Sequence, residues 1–127
     1  MTVSRGSALG LLAQARVVLG EAAAATDPGE RFRLAHLSAL RSAAAVSALR
    51  GRPTAARRRL INVWVLLERV APEHADWAAY FAAGAAVRAA VEAGASGAVT
   101  ARLADDQLRA AGEFLAIVAD SVGQLAA

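Results

Sequence analysis

Apolar positions recur every three or four residues along almost the whole chain. Ala8, Leu11, Leu12, Ala15, Val18, Leu19 and Ala22 share one face of a helix predicted over about 5–25. The segment TDPGE at 26–30 then reads as a helix start. Asp27 can cap, Pro28 suits the first helical position, and Glu30 completes a capping-box-like pair. A second helix follows over about 28–50, stopped by Gly51, and Pro53 opens the next. In the third, over about 53–70, Leu60, Ile61, Trp64 and Leu67 form one face, and Val63, Val65 and Leu66 widen it. A helix apolar nearly all round is expected to be central, or to be covered by a partner chain.

Pro72 ends the third helix and begins a fourth over about 73–94, with Trp77, Tyr80, Phe81, Gly84, Arg88 and Val91 as its stripe and Gly94 as its stop. GASGAVT at 94–100 reads as a loop. Asp105 or Asp106 is expected to cap a fifth helix carrying Leu108, Ala111, Leu115, Val118, Val122 and Leu125, with Phe114 and Ile117 broadening that face. No convincing strand alternation appears. The pattern predicts an all-α fold, an antiparallel up-and-down bundle of about five helices in a single domain over 1–127.

Composition narrows the chemistry. The chain has no cysteine, which excludes disulfides and thiolate metal sites, and its two histidines, His36 and His74, lack any metal-ligand spacing such as HExxH. No metal and no cofactor are expected. No P-loop, GxSxG or GxGxxG is present. The start of the chain is broken by Gln14 and Arg16 and lacks a signal-peptide core. The apolar runs at 60–67 and 78–87 fall short of the ~20 residues that span a bilayer. A cytoplasmic protein without a membrane partner is the expectation.

Alanine dominates and all 14 basic residues are arginine, as a GC-rich genome would favour. Their placement is uneven. From Arg31 to Leu67 there are eight arginines and no acid, so this stretch carries +8 and the rest of the chain −5. Such a field attracts phosphate or an acidic partner. Arg50, Arg52, Arg57, Arg58 and Arg59 crowd the junction of the second and third helices, and read as a nucleic-acid patch or as a solvated corner. No aromatic is interleaved among them to stack a base. His36 lies one turn from Phe32 and Leu40. It reads as a hydrogen-bonded, partly buried side chain, or as a cleft residue assisted by Arg33. Trp64, Trp77, Tyr80 and Phe81 are expected in the core or a dimer interface.

Three stretches together resemble the HEPN family of small helical domains, more narrowly a stand-alone actinobacterial branch: ERFRLAHLSALRSAAAVSALRGRP at 30–53, WVLLERVAPEHADWAAYFAAGAAVRAAVEAG at 64–94 and ADDQLRAAGEFL at 104–115. The resemblance implies a bundle of four or five helices, often a homodimer. It also implies a candidate site. In many HEPN ribonucleases an arginine and a histidine four to six residues apart meet their copies across the dimer cleft, and Arg69 and His74 have that spacing. Histidine can move protons near neutrality and arginine can hold a phosphate, which is what metal-independent RNA cleavage requires. Arg31 and His36 repeat the spacing. However, Val70 follows Arg69 where the family often has a polar residue, and Pro72 separates the pair. Residues 69–74 therefore read as the end of one helix and the start of the next, with His74 a polar first-turn residue near Glu73 and Asp76.

The expected function is accordingly that of a HEPN-like binding or regulatory domain, homodimeric, associated with RNA or an acidic protein partner, and without catalytic activity. The alternatives are a metal-independent ribonuclease of toxin type and a structural helical adaptor.

Overall fold

The computed structural model describes residues 2–50, 62–95 and 97–126. Among these there are five α-helices and no strand: α1 (Thr2–Ala24), α2 (Pro28–Arg50), α3 (Val63–Val70), α4 (Ala75–Glu92) and α5 (Ala101–Ala126), with a short 3₁₀ turn, Pro72–His74, between α3 and α4.

The predicted cap of α2 is present. The Asp27 carboxylate accepts the Glu30 backbone N–H at 2.9 Å, satisfying one of the donors that the first helical turn leaves open. Glu30 does not complete the box, because its own carboxylate turns to Arg33. The register of α1 on α2 is antiparallel. Arg31 donates to the carbonyls of Ala22, Ala23 and Ala25, whereas Ser38, two turns further along α2, donates to Ala15 at 2.8 Å. Helix α4 also runs against α2. Gly29 faces Val91 near one end, and His36 faces Phe81 further along.

The central helix is α2, which packs against each of the other four. This corrects one of the two expectations drawn from the apolar run at 60–67, that its helix is the central one. The faces that α2 buries are made mainly of small residues, Ala35, Ser38, Ala39, Ser42, Ala43 and Ala45, together with Phe32, His36 and Val46. Small side chains let neighbouring helices approach from several sides. Helix α3 is short and two-sided, burying Trp64, Leu66 and Leu67 and exposing Val65, Glu68 and Arg69. It starts at Val63 because the Asn62 side chain accepts the N–H groups of Trp64 and Val65 at 2.8 and 3.3 Å. The expected helix from about 53 is therefore not continuous through 62, and its stretch at 53–61 lies outside the described residues.

Helix α4 ends as the sequence predicts. Gly94 takes φ +93°, the left-handed conformation that glycine adopts without strain. Its N–H meets the carbonyl of Val91 and the Ala95 N–H that of Ala90, both at 2.9 Å, closing a Schellman motif. Helix α5 starts earlier than expected. Thr100, not Asp105 or Asp106, accepts from the Leu103 N–H at 3.1 Å. Asp105 instead pairs with Arg31 at 2.6 Å and Asp106 with Arg109 at 3.1 Å. Ala111, Phe114, Leu115, Val118 and Val122 are buried on α5, while Ile117 turns to solvent.

Candidate functional site

The 69–74 segment is where the chain changes helix. The Ala71 N–H closes α3 on the Leu67 carbonyl at 2.8 Å. Pro72 has no N–H to continue the ladder, and the chain turns through the 3₁₀ segment, with the His74 N–H on the Ala71 carbonyl at 2.8 Å. Arg69 stands exposed in the last turn of α3, where it lines a shallow groove with Val65 and Glu68. His74 turns inward. It is 6% exposed and its ring meets Phe114 edge-on, with centroids 5.7 Å apart. Its Nε2 is enclosed and has no hydrogen-bond partner among the described residues. Burial holds the imidazole below its ordinary pKa, with the Glu73 carboxylate opposing that shift. His74 thus stands at the start of α4, as the sequence suggests, with its side chain packed into the core. The groove beside Arg69 does not reach it.

His36 is fully enclosed, with Trp64 5.7 Å and Phe81 6.4 Å from its ring, both edge-on. Its Nε2 lies 2.9 Å from the Phe81 carbonyl. A carbonyl only accepts, so Nε2 carries the proton and Nδ1 is left as an acceptor. Burial lowers the pKa of this imidazole as well; the bond to Phe81 works against that and Arg88 adds to it. The expected cleft of Arg33 and His36 does not form, because Arg33 pairs with Glu30 along α2. Arg31 is equally committed to structure. Its guanidinium gathers the last carbonyls of α1, where a cation complements the helix dipole, and ties them to Asp105 of α5.

Of the arginine patch, Arg50 closes α2 and pairs with Glu73, whose carboxyl is held below the ordinary glutamate range first by a backbone hydrogen bond and then by this pairing. Arg52, Arg57, Arg58 and Arg59 lie outside the described residues. Among those described, no three of the histidines and carboxylates come together to hold a metal ion.

One surface was missed by the sequence reading. Between α4 and α5 lies an open groove of about 540 Å³, lined by Asp76, Trp77, Tyr80, Asp106, Arg109, Ala110 and Glu113. Tyr80, expected in the core or a dimer interface, is 43% exposed and so is not a core residue of the single chain. Partial burial and the nearby Asp106 raise the pKa of its phenol. The available signal was the pairing of Trp77 and Tyr80, one turn apart, with carboxylates flanking them on both helices.

The fold and its local geometry agree with the comparison to known families. The family model of SAV_6107-like HEPN proteins matches residues 22–119. The chain belongs to the HEPN family. The matched span of this HEPN chain runs from the last turn of α1 through most of α5, so it contains Arg69, both histidines and the aromatic cluster. No curated protein and no solved structure matches the chain.

Proposed function

We propose that this HEPN domain is a non-catalytic binding module that acts in the cytoplasm as a homodimer and takes RNA as its ligand. The observation that carries the proposal is the enclosure of His74. A general acid or base must reach the proton that it moves, and this imidazole is packed on Phe114 with its Nε2 shut away. RNA as ligand is supported by the run of arginines at 50, 52, 57, 58 and 59 within a stretch, 31–67, whose sequence contains no acid. Dimerisation is supported by apolar side chains left in solvent on two helices, Leu9 and Val17 on α1 and Val65 on α3.

The test is binding of a labelled single-stranded RNA over a range of salt concentrations. Affinity falls as salt rises, and replacing Arg50, Arg52, Arg57, Arg58 and Arg59 with glutamine weakens binding and flattens that dependence, since fewer counterions are released. Absence of binding at low salt would remove RNA as the ligand.

A further inference from the structure

The groove between α4 and α5 has chemistry opposite to that of the arginine-rich stretch. Its aromatic wall is fixed from behind. The Trp77 ring stacks on Phe81 with centroids 6.0 Å apart and leans on Phe114 at 5.6 Å, while Tyr80 meets Phe81 edge-on at 5.2 Å. Phe81 and Phe114 are themselves fully buried. Trp77 and Tyr80 therefore form a pre-set platform, and ordering it on binding costs little. Around it stand three carboxylates, Asp76, Asp106 and Glu113, against one guanidinium, Arg109, which is already paired with Asp106 at 3.1 Å. The groove is open and carries a net negative charge.

An aromatic face attracts a cation through its quadrupole, and a carboxylate beside it takes the N–H donors. A planar guanidinium meets both demands at once, because it stacks flat on an aromatic ring and presents a fork of donors at its edge; an ammonium offers only a point charge. We propose that this groove is a docking surface for arginine side chains of a basic protein partner. Charge complementarity and the aromatic platform carry the assignment together, and the groove is opposite in sign to the arginine-rich stretch. The interaction places guanidinium groups against Trp77 and Tyr80, with Asp76 and Glu113 as the receiving carboxylates.

The experiment titrates the intact protein with tetra-arginine and tetra-lysine peptides, reading Trp77 by fluorescence and the affinity by calorimetry. Trp64, the other tryptophan, is only 3% exposed and serves as an internal reference. Tetra-arginine is expected to bind several-fold more tightly than tetra-lysine. The double variant Asp76→Asn with Glu113→Gln changes two exposed side chains and leaves helix content unaltered. It is expected to weaken tetra-arginine binding by at least about fivefold. Tyr80→Leu is expected to reduce the preference for arginine over lysine, with Trp77 retaining part of it, while leaving the charge-driven part. Failure of tetra-arginine to bind, or binding unchanged in both variants, would overturn the proposal. A wild-type dimer that dissociates in the Asp76→Asn, Glu113→Gln variant would assign the groove to a second copy of the chain and overturn a separate partner.

Discussion

The ring of His74 stands edge-on against the ring of Phe114, with centroids 5.7 Å apart and planes at 84°. This contact pins the turn between α3 and α4 to the middle of α5, and it gives the histidine a packing role. His74→Ala is expected to lower stability by about 1–3 kcal/mol, through a cavity and a lost aromatic contact. Arg69→Ala, at an exposed position, should stay within about 0.5 kcal/mol of wild type. Chemical denaturation of the two variants checks the pair. Equal effects would contradict the placement of His74.

Both histidines make the fold sensitive to acid. Burial lowers the pKa of each below the ordinary value of 6.5. In the unfolded chain both protonate as the pH falls through about 6.5, while in the folded chain burial delays protonation to a lower pH. Protons therefore bind preferentially to the unfolded state. The stability conferred by neutral burial is present above that pH and is lost as the pH falls below it. The loss amounts to as much as about 1.4 kcal/mol per pH unit for each histidine. Melting temperatures between pH 8 and 5 should fall toward acid, with NMR titration midpoints of both imidazoles below the ordinary value. A melting temperature that rises on acidification would contradict this.

The glycines separate into two kinds. At Gly84 an added Cβ would lie 3.2 Å from the Phe32 ring and 3.4 Å from the His36 ring. At Gly10 and Gly20 it would meet nothing within 4 Å. Gly84→Ala is expected to destabilise by about 1–2 kcal/mol, because the buried Phe32 ring must give way in a packed core. Gly10→Ala and Gly20→Ala should each stabilise by about 0.5–1 kcal/mol, the ordinary helix-propensity gain. Thermal unfolding of the three variants gives the signs directly.

How legible each feature was in the sequence follows from the range of the interaction that fixes it. The start of α2 at Asp27 and Pro28 and the stop of α4 at Gly94 rest on a few adjacent residues, and both were readable. The starts of α3 and α5 were missed although their caps are also local. Asn62 sits inside an apolar run that read as uninterrupted helix, and Thr100 closes a stretch that read as loop. The centrality of α2 was hidden for a different reason. Alanine and serine carry no strong hydrophobic signal, and their burial comes from the close approach of α1, α4 and α5. The burial of His74 was not readable beside Glu73 and Asp76, because what encloses it includes Phe114, a residue far along the chain. The α4–α5 groove was invisible because half of its charge lies on each helix.

The central claim is that Arg69 and His74 mark the junction of two helices and are not a catalytic pair. Incubating purified wild-type protein with single-stranded and structured RNA at neutral pH, without added metal, tests it most directly. The account predicts intact RNA in every lane, for wild type and variants alike. Cleavage by wild type that disappears in both Arg69→Ala and a folded His74→Gln variant would contradict it, since a general acid or base is worth about 10²–10⁴-fold in rate.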